Sequence, residues 1–481
     1  MNTITQPPLA TNLAADTTTI QQTFAAQRDT AIRLRQSTTA ERLTKIKKLK
    51  ETLLAHADDV IAAGFADFGK PAAEVELTEI LPVVAEANDA IRKLGGWMKP
   101  KKVWPSRMML GTTGYTQYEP KGRVLIISPW NYPVNLTLGP LVSALAAGNT
   151  AIIKTSEMTP HLSAVIATII REAFEEKEVA LFEGDATVAQ ALLELPFDHI
   201  FFTGSPAVGK VVMAAAAKNL TSVTLELGGK SPTIIDESAD LELAAKNTLW
   251  AKFTNNGQTC IAPDHVYVHA SVKDAFVKQC VDALNNIYGQ DSNKIESPDL
   301  ARIVNPRHVA RVKKLLDDAT SRGARVITGG QYDENKRYIA PTLLDSIPDD
   351  AEIMSEEIFG PLLPIISFTQ LDNVISRINA DPKPLALYVW SRNKENINKV
   401  MQQTTSGGAC INHSVVQFLH GNLPFGGVNN SGIGSGHGYH GFLAFSHERA
   451  VVRSWIILAK MFYPPYSNLT RKLIALFIKT V

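Results

Sequence analysis

Four short runs of β-branched and apolar residues, Val124-Leu125-Ile126-Ile127, Thr150-Ala151-Ile152-Ile153, His199-Ile200-Phe201-Phe202 and Val223-Thr224-Leu225, recur through the first half of the chain with helical stretches between them. Strands separated by helices cannot close as hairpins; they pair in parallel and are covered by helices on both faces. A second series follows Gly228: Thr233-Ile234-Ile235, Val266-Tyr267-Val268, Leu385-Ala386-Leu387-Tyr388-Val389 and Gly408-Ala409-Cys410-Ile411-Asn412. The fold class is therefore α/β, with two α/β domains meeting near Gly228-Gly229. A length of 481 residues gives each of two or three domains a full core.

The segment 23–90 carries apolar residues at helical spacing (Ile46, Leu49, Leu53, Leu54) and predicts paired surface helices. Its basic stretch from Arg28 to Lys50 reads as a solvated helix face, because acidic residues crowd the segment that follows. Residues 111–125 alternate through Thr113, Tyr115 and Gln117 into Pro120-Lys121-Gly122, a hairpin signature. With 48 Lys and Arg against 47 Asp and Glu, the formal charge of +1 gives no case for wrapping nucleic acid. Residues 1–22 lack the basic start and apolar core of a signal peptide and predict a frayed tail. Cys260, Cys280 and Cys410 have no CxxC spacing, which points to a reducing compartment rather than a disulfide framework. No uncharged apolar run approaches the ~18 residues of a bilayer span, so a cytoplasmic protein is expected.

Three segments carry chemistry. Phe202-Thr203-Gly204-Ser205-Pro206-Ala207-Val208-Gly209 follows a strand and opens a helix, whose N–H groups could meet a pyrophosphate. Its glycine spacing is not a regular dinucleotide fingerprint, and an ordinary glycine turn fits it equally well. Glu226-Leu227-Gly228-Gly229-Lys230 puts a carboxylate at a strand end, and Gly257-Gln258-Thr259-Cys260 supplies a thiol. A nucleophile and a base that activates water are what a covalent acyl mechanism needs, although free cysteines are more often packing residues. Pro129-Trp130-Asn131-Tyr132-Pro133 also follows a strand, where Asn131 could aim its amide at an oxyanion or simply belong to a rigid turn.

Together with Lys154-Thr155-Ser156-Glu157, Glu356-Glu357-Ile358-Phe359-Gly360-Pro361 and Leu423-Pro424-Phe425-Gly426-Gly427-Val428, these segments resemble the aldehyde dehydrogenase superfamily over nearly the whole chain. Phe68-Gly69-Lys70-Pro71, Asn429-Asn430-Ser431-Gly432 and Tyr463-Pro464-Pro465-Tyr466 look most like its class 3 branch, which includes fatty aldehyde dehydrogenases. The resemblance implies that Cys260 is the nucleophile, Asn131 with the Cys260 N–H the oxyanion hole, and Glu226 the base for deacylation. It implies that Lys154 and Glu157 hold the adenosine ribose, Gly204, Ser205 and Gly209 the pyrophosphate, and Glu357 and Phe359 the nicotinamide riboside, with Trp130 beside the cofactor.

The fold so implied is a Rossmann-type NAD(P)-binding domain (23–110 and 126–227), an α/β catalytic domain (228–439) and a small β dimerisation element (111–125 and 440–460), flanked by tails 1–22 and 461–481. The implied activity is oxidation of apolar aliphatic or aromatic aldehydes, with NAD preferred and NADP possible, in a homodimer. Alternatives are a CoA-acylating dehydrogenase, against which Glu226 argues, and a catalytically silent structural or membrane-associated protein on the same scaffold. Tyr132, Trp250, Ile411 and Val415-Val416-Gln417-Phe418-Leu419 are candidates to line an apolar substrate funnel. His413, His420, His437 and His440 lack partners at ligand spacing and predict no metal site. Cys280 and Cys410 read as structural. In the tail, Leu469, Leu473, Leu476 and Phe477 form an apolar helical stripe beside Arg471, Lys472 and Lys479. That helix either packs on the dimer near the substrate entrance or makes peripheral contact with an anionic membrane.

Overall fold

A computed structural model describes residues 17–106, 109–291, 293–456, 460 and 463–480. Two large sheets organise them. The first has six strands in the order Gly432–Ile433, Ser222–Glu226, His199–Thr203, Arg123–Ile127, Thr150–Lys154 and Val179–Phe182. All pair in parallel except Gly432–Ile433, which runs antiparallel to Ser222–Glu226. Val124, Ile126, Ala151 and Ile153 pack into a core with helices Thr39–Ala55, Leu81–Trp97, Asn135–Ala147 and Pro160–Ala173. Leu125, Ile127 and Ile152 face the other way, toward helices Thr17–Leu34, Ala186–Leu193 and Pro206–Ala217. Burial of both faces is why these strands read as unbroken apolar runs rather than alternating ones. Leu49 is fully buried in this core, and truncating it to Ala would cost about 2–5 kcal/mol.

The second sheet has seven strands in the order Arg325–Thr328, Thr342–Asp345, Leu362–Phe368, His265–His269, Pro232–Ile235, Ala386–Trp390 and Gly408–Ile411. Only Arg325–Thr328 is antiparallel to its neighbour. Cys280 is buried in the core beside this sheet, and Cys410 is buried on its last strand.

Several sequence expectations need correction. Residues 111–125 are not a hairpin. Thr112–Pro120 pairs antiparallel with Ser446–Ser454 and with Lys101–Val103 in a separate three-stranded sheet, whereas Arg123–Ile127 belongs to the six-stranded sheet. The Pro120-Lys121-Gly122 turn passes the chain between sheets, and a boundary at residue 125 would cut a strand. The segment 440–460 begins inside helix Gly438–Ala444, which packs against the two helices Leu81–Trp97 and Asn135–Ala147. Gly432–Ile433, expected in the catalytic domain, is instead an edge strand of the first sheet.

The N-terminal tail is shorter than 22 residues, because a helix starts at Thr17 and buries Ile20 fully; residues 1–16 lie outside the described ones. Leu54 is 48% exposed rather than a core residue, whereas Ile46, Leu49 and Leu53 are buried. The basic face is not wholly solvated either: the buried Arg42 donates to the Ala146 carbonyl at 3.0 Å. Part of the C-terminal segment, residues 461, 462 and 481, also falls outside the described residues, and Asn468–Thr480 is helical.

Candidate active site

Glu226 ends its strand with Thr203 opposite on one side and Gly432 on the other. It is buried, and neither carboxylate oxygen has a hydrogen-bond partner among the described residues. Burial pushes its carboxyl well above the usual carboxylate range. Cys260 stands on the loop after helix Leu241–Phe253. The chain reverses there through three left-handed residues, Asn255 (φ 52°), Asn256 (φ 53°) and Gly257 (φ 77°). A Cβ on Gly257 would lie 2.3 Å from the Gly360 carbonyl oxygen, so this turn accepts only glycine. The Cys260 thiol is pushed up to about 12 by burial and by the Glu357 and Glu226 carboxylates. It is protonated in the resting cleft, and attack requires the proton to leave.

Asn131 is buried in the turn after Arg123–Ile127. Its Nδ2 donates to the Gln258 carbonyl at 3.1 Å, clipping the amide to the cysteine loop. Its own carbonyl accepts from Asn255 Nδ2 at 2.8 Å and Lys70 Nζ at 3.1 Å. Asn131 thus sits beside the thiol loop with its position set from three directions.

The expected cofactor residues lie at the carboxyl ends of the parallel strands, where the strand order reverses between Arg123–Ile127 and His199–Thr203. That crevice is where open α/β sheets bind ligands. Lys154 ends its strand buried, its Nζ donating to the Thr155 carbonyl at 2.8 Å and to Glu157 Oε2 at 3.3 Å. Gly204 follows strand His199–Thr203, and Ser205 caps helix Pro206–Ala217. Gly209 departs from its expected role. Its N–H is already bonded to the Ser205 carbonyl at 2.9 Å, and a Cβ there would lie 2.8 Å from Leu227 Cδ2. It lets the helix pack closely on the sheet and has no free donor for a phosphate.

Glu357 reaches across from the second sheet's side against Gly228. Burial raises its carboxyl to about 7, opposed by the Gly229 N–H. Trp130 meets Phe359 edge-on, with ring centroids 5.3 Å apart, and His308 at 4.9 Å. The loop bearing Glu357 and Phe359 is clamped by residues that sequence reasoning missed. Lys230 Nζ donates to the Ile353 and Glu356 carbonyls, both at 2.9 Å, and Asp264 accepts from the Ile358 N–H at 2.9 Å. The Arg311 guanidinium donates to the carbonyls of Glu357 and Ile358.

Cys260 and Glu226 open on one cleft, with a cavity of about 150 Å³. Tyr132 and Trp250 line it, with Val415, Phe418 and Leu419; Ile411 does not, lying 46% exposed at the end of its strand. The walls are mostly apolar. One polar exception was not foreseen: His437 Nδ1 stands 3.6 Å from Glu86 Oε2, and both line the cleft. The sequence named His437 only among histidines without metal partners and Lys70 only within Phe68-Gly69-Lys70-Pro71, and Glu79 follows Glu74 and Glu76 in a stretch with no motif, so none of the three was given a role at the site.

The family model for the aldehyde dehydrogenase family matches residues 1–451. The chain is 42% identical to 4,4'-diaponeurosporen-aldehyde dehydrogenase of Staphylococcus aureus, covering 91% of this chain and 94% of the relative. It is 40% identical to the rat "aldehyde dehydrogenase, dimeric NADP-preferring", covering 88% and 93%. Among solved structures, the substrate-bound state of Staphylococcus aureus AldH superposes with a TM-score of 0.91 at 41% identity, covering 95% of this chain and 99% of that one. The chain belongs to the aldehyde dehydrogenase family, enzymes that oxidise aldehydes with NAD or NADP.

Proposed function

We propose that this protein oxidises apolar aldehydes, aliphatic of medium or long chain or aromatic, to carboxylic acids through a thiohemiacetal and a thioester on Cys260. The observation that carries this reading is that the thiol and the unpartnered Glu226 carboxylate open on one cleft whose walls are mostly apolar. Such walls favour a hydrocarbon tail by roughly 25 cal/mol for each Å² removed from water. A CoA-acylating reaction would have no use for a buried carboxylate poised to activate water.

In this reading the Cys260 sulfur, once deprotonated, attacks the aldehyde carbon. The oxyanion that forms takes hydrogen bonds from the second N–H of the Asn131 amide and from the Cys260 backbone. When bound, the cofactor supplies the acceptor for the hydride that the thiohemiacetal gives up. Glu226, once ionised, then takes a proton from water, which attacks the thioester and releases the acid.

The strand ends suit a dinucleotide. In the first turn of helix Pro206–Ala217 the Val208 N–H is taken by Ser205 Oγ at 3.4 Å and the Ala207 N–H is left toward a pyrophosphate, and Glu157, whose side chain is 41% exposed, can accept from both hydroxyls of a ribose. A 2′-phosphate would meet that carboxylate as a like charge, so NAD is preferred; Lys154 leaves some room for NADP.

The dimer would form through the sheet edge at Ser446–Ser454, whose outer side is unpaired among the described residues. No described helix is long and apolar enough to cross a membrane. The C-terminal helix exposes Leu469, Ile474 and Ile478 beside its three cations, which supports peripheral contact with an anionic surface. A chain-length series of aldehydes, assayed with NAD and with NADP, tests substrate and cofactor together. Rising kcat/KM with chain length and a ratio favouring NAD are expected; preference for short polar aldehydes would overturn the substrate reading.

A further inference from the structure

Beneath the Asn131 turn lies an ion pair that the reaction described above does not use. Lys70 and Glu79 are both fully buried, with Nζ and Oε1 3.1 Å apart. Pairing two charges in a core is often no more stable than apolar packing of the same volume, so stability alone does not account for it.

Their remaining bonds all go to one short segment. Lys70 Nζ donates to the Asn131 carbonyl at 3.1 Å and stands 4.4 Å and 4.6 Å from the ring centroids of Phe68 and Tyr132. Glu79 Oε2 accepts from the N–H groups of Val134 and Asn135, both at 3.1 Å. Those are free donors at the start of helix Asn135–Ala147, whose cap position, Val134, offers no side-chain acceptor.

Glu79 itself lies in a π-helical turn, Glu76–Ile80, a rare bulge that recurs at functional sites. One turn earlier, Glu74 accepts from the Asn255 N–H at 2.9 Å, and Asn255 Nδ2 bridges the carbonyls of Asn131 and Gln258 at 2.8 Å and 3.2 Å. The stretch from Lys70 to Glu79 therefore grips both loops that meet at the thiol.

We propose that Lys70 and Glu79 are positioning residues for aldehyde oxidation, holding the Asn131 amide at the place beside Cys260 where the oxyanion forms. This rests on Asn131 being an oxyanion donor. Lys70 fixes the backbone on one side of the Asn131 side chain and Glu79 fixes it three residues later, so the amide cannot drift. A misplacement of about 1 Å in such a site can cost on the order of 10²-fold in rate.

The test compares the full-length double variant Lys70→Met, Glu79→Gln, which strands no charge, with Asn131→Ala. The burst of reduced nicotinamide is followed for a protiated and a C1-deuterated aldehyde, and NAD affinity is measured separately. The double variant should slow the burst at least tenfold, bring a primary isotope effect into kcat and change NAD affinity less than twofold. If it does not fold, Lys70→Met alone carries the same expectation, since it removes the donor to the Asn131 carbonyl while Glu79 still accepts from Val134 and Asn135. A burst within twofold of the parent, while Asn131→Ala is slow, overturns the positioning role. Parallel loss of burst and NAD affinity overturns it too, as general damage. An unchanged burst in Asn131→Ala instead removes the oxyanion reading on which the proposal stands.

Discussion

A methyl group on Gly228 would lie 2.3 Å from Oε2 and 2.5 Å from Oε1 of Glu357, so that carboxylate occupies the space any other side chain at 228 would fill. Such an overlap cannot be relieved by a rotamer change at residue 228, because Cβ itself is the clashing atom. Nor can the Glu357 backbone retreat easily, since Arg311, Lys230 and Asp264 hold its loop. Gly228→Ala should expel the carboxylate and raise the KM for NAD about tenfold or more. Alkylation of Cys260 by iodoacetamide should stay within a few-fold of the parent. An unchanged KM in initial-rate measurements would show that Glu357 does not touch the cofactor.

Glu226→Gln separates the two halves of the reaction. The first burst of reduced nicotinamide should survive, while hydrolysis slows and the acyl-enzyme accumulates to a level that intact-mass measurement detects. Cys260→Ala should give neither burst nor adduct, with NAD binding retained, because the thiol holds no part of the dinucleotide. Loss of the burst in Glu226→Gln would assign the carboxylate to another step.

The same residue makes a stability prediction whose sign follows from its burial. Its carboxyl titrates well above the ordinary 4.5 when folded, so between those two values the unfolded chain binds fewer protons than the native one. Native stability must therefore fall as pH rises through that window. Glu226→Gln removes this term. Its Tm should exceed that of the parent at neutral pH, and the gap should close as pH drops below about 4.5. A gap that stays constant with pH would mean that the carboxyl ionises as freely folded as unfolded.

How far the sequence foretold this site depends on which side chains announce their own role. Cys260, Glu226 and Asn131 stand next to strand ends and glycines, where function and backbone geometry leave a joint signature. Lys70, Glu79 and Asn255 meet the site through bonds that reach 55 to 181 residues along the chain, as in Val134 with Glu79 and Asn255 with Glu74, and no local pattern records that. The strands behaved likewise. Runs buried on both faces, such as 124–127, were legible, whereas the four-residue strands Val179–Phe182 and Thr342–Asp345 were not read. The false hairpin arose because Thr112–Pro120 alternates correctly for a strand and a turn follows it; its pairing with the segment 440–460 was expected, and Ser446–Ser454 supplies it from more than 300 residues away.

The proposed preference for NAD makes a prediction at Glu157. Its Oε2 is 3.3 Å from Lys154 Nζ, and its side chain is 41% exposed at the strand end that would face the adenosine ribose. Replacing it by Ser removes the like charge that a 2′-phosphate would meet and leaves the Lys154 cation free to attract one. Glu157→Ser should shift the ratio of kcat/KM for NAD to that for NADP toward NADP by tenfold or more, mainly through KM. An unchanged ratio would show that the carboxylate does not read the ribose.

The C-terminal helix Asn468–Thr480 carries Arg471, Lys472 and Lys479 and no acidic residue, and it exposes Leu469, Ile474 and Ile478. At 13 residues the described helix is well short of the ~20 that span a bilayer, so the contact proposed for it is lateral. Partial burial of a few aliphatic side chains in the headgroup region adds to roughly 1 kcal/mol for each cation near an anionic surface. The cationic part falls away once the Debye length shortens from about 30 Å at 0.01 M salt to about 3 Å at 1 M. The full chain should therefore sediment with phosphatidylserine-rich vesicles at low salt and be released at high salt. A chain ending at Ser467 should remain in the supernatant under both conditions while keeping its activity on a short aldehyde. If both chains stay in the supernatant at low salt, the helix serves the protein's own surface and not a membrane.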